Sequence, residues 1–255
     1  VIKKSFKATW QAQYQAERDD YLQLLNKDIF ANWGTNSKPE WTAERQFMMG
    51  LNLFYSGLND KDAQGFVAKG ARMAERALQE RRFESEQCKA GFPLNRGRLL
   101  RTQAYTSAIL DGTFTFNSAL LRQAAVDHHD WCRPYKGRQW DSQAQAYYLA
   151  AVRLSIIADD LQTARELLGA KKSFKWHEEE FQLWSQWVEA RHAGGREWDG
   201  LDEYFCRVRD PNYVPDIFME KGVLQLELGM IRYKYQRGTA LPAGAWPTIF
   251  EMIAA

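Results

Sequence analysis

The stretch from Ser142 to Ala170, SQAQAYYLAAVRLSIIADDLQTARELLGA, decides the fold. Ala144, Tyr147, Ala151, Leu154 and Ile157 recur at three- and four-residue steps, which lines their side chains along one stripe of a helix. The stripe predicts a long helix, buried along that side and ending near Ala158. Asp159 and Asp160 supply a turn, and Leu161, Ala164, Leu167 and Leu168 repeat the spacing in a second helix to about Leu168. Asp160 stands where an N-cap carboxylate accepts the backbone N–H of Gln162 or Thr163. Two helices joined by so short a link make an αα-hairpin.

Outward from this hairpin the pattern repeats. Upstream, Leu99 to Leu110 reads as a helix stopped at Asp111-Gly112, with Phe116 to Trp131 as its partner. Before it, a helix opening near Pro39-Glu40 carries Phe47, Met48, Leu51, Phe54 and Tyr55 on one face. It pairs with a helix from Ala63 to about Arg82 that turns Phe66, Val67, Met73, Ala74, Ala77 and Leu78 inward. Phe6 to about Asn32 forms a first helix, broken by Gly34 and Pro39. Downstream, His177 to His192 is closed by Gly194-Gly195, and Leu201, Tyr204, Phe205 and Val208 mark a short return helix ended by Asp210-Pro211. Ile217 to Tyr235 is the last long helix, with a cap from Trp246 to Ile253. The turns at 53–60, 107–112 and 155–160 recur at roughly 50-residue offsets, in the range of helical-repeat units. The expected fold is all-α, a stacked, helical-repeat-like array of αα-hairpins, with residues 1–255 as a single domain.

Composition narrows the function classes. The chain has 255 residues, 45% hydrophobic and 26% charged, which is ordinary for a globular protein. Its 10 Trp, 11 Tyr and 14 Phe are many large, rigid side chains to place, in seams between helices or as anchors at a binding surface. The formal net charge is +2, from 34 basic and 32 acidic residues, so no nucleic-acid partner is expected. Cys88, Cys132 and Cys206 are few, odd in number and far apart, which fits a reducing, cytoplasmic setting better than a disulfide framework. No apolar run nears the roughly 18 residues of a membrane span, so no membrane association is expected.

Candidate chemistry is sparse. In Asp127-His128-His129-Asp130-Trp131-Cys132 the spacings from His128 and His129 to Cys132 could offer two ligands to a divalent metal. A full site needs more, and the plain alternative is the polar end of a helix, where His residues favour the C-terminal dipole. No HExxH, GxSxG, GxxxxGK[ST] or GxGxxG pattern occurs, so no cofactor, metal or catalytic residue is assigned. Asp159-Asp160 is explained by capping, and Glu178-Glu179-Glu180 by a solvated first helical turn. Arg81-Arg82, Arg96, Arg98, Arg101 and Lys171-Lys172 read as solvated faces, with a basic patch as the alternative.

Recognition has better candidates. The connection Trp131 to Asp141 holds Trp131, Tyr135, Arg138, Trp140 and Asp141, residue types enriched at binding hot spots, on a link of the kind where recognition is commonly placed. Its tryptophans could equally wedge neighbouring hairpins. The same choice stands for Trp176, Trp184 and Trp187.

The run from Ala146 to Leu168, AYYLAAVRLSIIADDLQTARELL, with the hairpins before it, resembles the all-helical immunity proteins of bacterial polymorphic toxin systems, immunity protein family 49 in particular. The likeness spans residues 98 to 170. It implies a bacterial cytoplasmic protein that binds one cognate toxin or effector domain, often a nuclease, and occludes it without catalysis. On that reading Glu178, Glu179 and Glu180 could meet a basic nuclease site, beside anchors from the Trp131–Asp141 link and Trp176. The other reading is a tetratricopeptide-like adaptor that binds peptides or several protein partners.

Overall fold

The structure, a computed structural model, describes residues 43–44, 46–51, 60–84, 92–113, 115–134, 142–170, 174–195, 199–208 and 221–236. The first helix, Cys88, the link from Tyr135 to Asp141, Lys171-Lys172 and the Trp246–Ile253 cap lie outside these. Among the described residues every regular element is helical and none is a strand. After a helical segment within 43–51 come α1 (Asp60–Gln79), α2 (Leu94–Leu110), α3 (Ser118–Cys132), α4 (Ser142–Ile157), α5 (Leu161–Gly169), α6 (Glu178–His192), α7 (Asp199–Val208) and α8 (Lys221–Ile231). A π-type turn, Arg232–Gln236, extends α8.

Each helix from α1 to α6 packs on the next in chain order, as short links between amphipathic helices require. The return is less regular, since α7 lies against α6 and α8, and α8 folds back onto α4. One continuous hydrophobic cluster runs from Phe47 to Ile231.

The deciding hairpin forms as its residues require. Asp160 caps α5, its Oδ1 accepting Thr163 N–H at 3.1 Å. The end of α4 closes with two reversed bonds, Asp160 N–H to Ser155 O at 2.9 Å and Asp159 N–H to Ile156 O at 3.0 Å. That pairing is the Schellman closure, whose central residue must be left-handed. Here the residue is Asp159, at φ 59°. At the ends of α2 and α6 glycine takes the same position, Gly112 at φ 64° and Gly194 at φ 86°.

Two expectations need correction. The single buried stripe of α4 understates it, because Tyr147 through Ala158 are all buried. The helix meets α3, α5, α6 and α8 on different sides, so the polar Arg153 and Ser155 are enclosed as well. And α2 begins five residues earlier than its apolar spacing suggests, at Leu94 directly after Pro93. Gly97, a poor helix former, stands in that first part because α3 crosses there.

Close approach is made by glycine at three places. A Cβ on Gly50 would lie 2.7 Å from Val67 Cγ2, and one on Gly70 3.0 Å from the Ala43 carbonyl, so segment 43–51 and α1 touch backbone to backbone. At Gly97 a Cβ would lie 2.7 Å from His128 Nδ1 and 3.0 Å from Asp127 Cβ. Gly169 has nothing within 4 Å. Gly97→Ala is therefore expected to lower stability by about 1–3 kcal/mol through overpacking. Gly169→Ala should be neutral within about 0.5 kcal/mol. Urea unfolding of the two variants measures the contrast, and equal midpoints would refute the close α2–α3 approach.

Candidate partner-binding end and the buried charge network

The interior holds a chain of ion pairs that no solvated reading of the charges anticipates. Arg101 donates to Glu44 Oε1, and Arg98 Nε lies 3.3 Å from Glu44 Oε2. Arg101 also faces Glu227, Nη1 to Oε1 at 4.0 Å. Tyr105 O–H donates to Glu227 Oε1 at 2.9 Å, while Arg153 Nε donates to Oε2 at 2.6 Å. Arg153 Nη1 then donates to Glu180 Oε1, which accepts Trp184 Nε1–H at 3.1 Å as well. Glu44, Arg101, Arg153, Glu180 and Glu227 are all buried, Glu227 completely.

Three arginines and three glutamates balance in this chain, drawn from segment 43–51, α2, α4, α6 and α8. An isolated buried charge is costly, so each is tolerable only because its neighbours supply the opposite sign and a hydrogen bond. Burial works against the charged form of Arg153, but Glu180 and Glu227 outweigh it and hold the guanidinium protonated above its ordinary range. Tyr105 is pushed well up, by burial first and by the Glu227 carboxylate second, so its hydroxyl stays a donor.

This corrects the solvated reading of Arg98, Arg101 and Glu180. Arg96 is also engaged, Nε and Nη2 reaching the Asp127 carboxylate at 2.7 and 2.5 Å. Asp160 caps the start of α5 and Asp159 closes the end of α4, as helix-end capping expects.

The residues considered for metal binding are held separately. His128 Nδ1 is 2.7 Å from the Ala124 carbonyl, which can only accept, so Nδ1 carries a proton. Burial, then Arg101, drives its pKa well below the ordinary value, against the opposing hydrogen bond to Ala124. Asp127 takes Arg96 and Gln123, and Cys132 Sγ–H donates to the Ala144 carbonyl at 3.2 Å. Among the described residues no three His, Cys, Asp or Glu side chains come together in a metal-holding group.

The described members of the recognition set meet at one end of the array, where α3 ends and α4 and α6 begin. Gln145, wholly buried in α4, is the organiser. Its Oε1 accepts three successive backbone N–H groups, Lys175 at 3.1 Å, Trp176 at 3.0 Å and His177 at 3.4 Å. His177 Nε2 lies 3.2 Å from the Ser142 carbonyl, and Phe174 is buried, stacked on Phe181 with ring centroids 4.3 Å apart. The turn before α6 is thus pinned on both sides while Trp176 points outward, 58% exposed. Lys175 Nζ lies 5.1 Å from the centre of its ring. Glu178 and Glu179 are exposed beside it, Glu179 paired with Arg207. Trp131 is half-buried, edge-on to Tyr147 at 5.5 Å. Trp184 and Trp187 are core residues. Tyr135, Arg138, Trp140 and Asp141 lie outside the described residues.

No family model, curated protein or solved structure matches this chain. Among the described residues no helix is long and apolar enough to cross a membrane.

Truncating Glu227 to Ala is expected to cost about 3–5 kcal/mol, since it takes the buried acceptor from Arg153 Nε and Tyr105 O–H and leaves the arginines of the chain one carboxylate short. The triple variant Glu227→Leu, Arg153→Met and Glu180→Gln, which removes the charges that lose a partner and keeps an acceptor for Trp184, should recover much of that loss, and chemical denaturation compares the two. Protonation of His128 gives a separate signature. Its folded pKa is depressed, so the unfolded chain binds more protons below about pH 6.5, and stability falls as pH drops from there toward the folded value. The slope approaches about 1.4 kcal/mol per pH unit for one proton. His128→Gln should flatten that part of the stability–pH curve, measured by urea titrations from pH 7.5 to 5.

Proposed function

We propose that this protein is a non-catalytic binder of one folded protein partner, an immunity protein that occludes a cognate bacterial toxin or effector domain in the cytoplasm. The observation that carries this reading is Trp176. Single exposed apolar side chains are ordinary on a protein surface; what marks this ring is that the turn beneath it is locked by Gln145, Phe174 and His177. A pre-ordered anchor loses little conformational entropy on binding, which is how a few residues come to dominate an interface.

The flanking chemistry fits a basic partner. Glu178 and Glu179 stand exposed on the first turn of α6 beside the anchor. Carboxylates at a rim speed encounter with a positively charged surface, such as the nucleic-acid-binding face of a nuclease, and add modest affinity. Occlusion needs no catalytic group from this chain. It needs an interface of about 1,600 Å², with Trp176 near its centre.

Co-expression with the product of the adjacent gene, followed by co-purification and a growth assay, tests the reading. Trp176→Ala should weaken the complex about 30-fold or more, the equivalent of roughly 2 kcal/mol. Glu178→Lys with Glu179→Lys should mainly slow association and reduce its salt dependence. Gln145→Leu, which frees the turn without touching the surface, should also weaken binding. Unchanged affinity in Trp176→Ala, measured by calorimetry on a folded variant, would remove this end of the array as the interface. Binding of short extended peptides by the wild type would favour the adaptor reading instead.

A further inference from the structure

We infer that the cavity between the α2–α3 link and the turn after α8 is a binding site for a neutral, hydroxyl-rich ring the size of one sugar. It has a volume of about 280 Å³ and is partly open to solvent, near the lower end of the roughly 300–1,000 Å³ typical of small-molecule pockets, so its occupant is a single ring. It lies at the Ile157 end of α4, whereas the Trp176 turn is fixed at the Ser142 end. At 1.5 Å per residue the two are about 24 Å apart along the helix. The inference is therefore independent of the partner-binding reading.

The lining divides into three kinds. Phe116, Ile157 and Met230 give an apolar wall, suited to the C–H face of a ring. Thr113, Thr115 and Ser118 bring hydroxyls, that of Thr113 accepting Thr115 N–H at 3.3 Å and keeping its own proton, and that of Thr115 lying 3.5 Å from the Thr113 carbonyl and keeping its lone pairs. Opposite them stands a fixed group of three. Lys234 Nζ donates to Asp159 Oδ2 at 2.6 Å, and Tyr235 O–H donates to Asp159 Oδ1 at 2.5 Å. Each carboxylate oxygen has a second lone pair and the ammonium two further protons, so the group offers acceptors and donors together.

Charge decides which ligand suits these groups. Burial acts to raise the Asp159 carboxyl, but the bonds from Lys234 and Tyr235 outweigh it and hold the group ionised. Asp159 and Lys234 then cancel. The nearby α3 N-terminus is no anion site either, because Asn117 Oδ1 already accepts Ala119 N–H at 3.1 Å and Leu120 N–H at 3.3 Å. An ionic ligand would meet no net opposite charge from this partly exposed pair. A neutral polyol keeps every hydrogen bond.

Two backbone features mark the same place. The Schellman closure after α4 uses Asp159 in the left-handed conformation where α2 and α6 use glycine. Asp159 puts a carboxylate on the cavity wall, which glycine cannot do. On the other side the π-type turn Arg232–Gln236 brings Lys234 and Tyr235 to one acceptor. Turns of this kind recur at functional sites.

The full chain, titrated with glucose, galactose, mannose, N-acetylglucosamine and myo-inositol and followed by heteronuclear NMR, tests the assignment, with glucuronate and glucose 6-phosphate as charged comparators. At least one neutral compound should saturate with a Kd on the order of 1 mM or tighter, shifting resonances of residues 113–118 and 230–235. Asp159→Asn and Thr115→Val should each weaken it about tenfold, the loss of one hydrogen bond to the ligand. Should Asp159→Asn fail to fold, Thr115→Val and Thr113→Val decide the matter alone. The assignment is overturned if no neutral compound saturates, if the charged comparators bind more tightly, or if the folded variants bind like the wild type.

Discussion

Glu227 is the group on which the rest of the structure turns. It sits in α8, far along the chain, yet its two oxygens take Arg153 from α4 and Tyr105 from α2 and face Arg101 across the same interior. Local hairpin packing alone would leave an open array, each helix touching its neighbours in sequence. The ion chain changes that. It ties segment 43–51, α2, α4, α6 and α8 through partners as distant in sequence as Arg101 and Glu227. Shifting any one of these helices by a residue would leave an unpaired charge in a dry interior. Apolar side chains tolerate such slips because dispersion and hydrophobic contact have little direction, whereas charge-assisted arginine–carboxylate hydrogen bonds are directional and do not. Helix registry is thereby specified where the hydrophobic stripe alone would permit several alignments.

That division explains which parts of the molecule were legible in the sequence. The Ser142–Ala170 hairpin could be read nearly residue by residue, including the Asp160 cap, because helix periodicity and capping are local properties. So could the ends of α2 and α6, where glycine closes a helix. The solvated reading failed at Arg98, Arg101 and Glu180 because exposure depends on what crosses overhead. A partial signal was present. Glu227 lies in Val223-Leu-Gln-Leu-Glu-Leu-Gly-Met-Ile231 and Arg153 in Ala150-Ala-Val-Arg-Leu-Ser-Ile-Ile157. A lone charge inside an apolar run of helical length implies a buried partner of opposite sign. What such a run cannot supply is which of the 34 basic or 32 acidic residues that partner is.

The recognition residues divide along the same line. Aromatic richness foretold anchors or seams without deciding between them, and Trp184 and Trp187 became core while Trp176 stayed outside. The difference lies in the backbone. Trp184 and Trp187 are on the inner face of α6, where 3.6-residue periodicity sends them to the core. Trp176 precedes the helix, in a turn whose direction is set by Gln145, a buried polar residue of another helix. No pattern local to Trp176 contains that information.

The two ends of α4 thus receive opposite treatment from one rigid element. At its start, Gln145 and Ser142 fix a neighbouring turn so that an aromatic ring faces outward. At its finish, Asp159 takes a strained conformation that gathers Lys234 and Tyr235 around a cavity. Between them Arg153 is clamped by Glu180 and Glu227, so the helix cannot rotate about its axis without breaking both pairs. A surface anchored to such a helix inherits its immobility. Events at one end could reach the other only as a rigid-body displacement, and the buried ion chain opposes that displacement at every helix it touches. The expected coupling between the ends is therefore weak, since differential binding shifts a second site only through an alternative arrangement of the element between them.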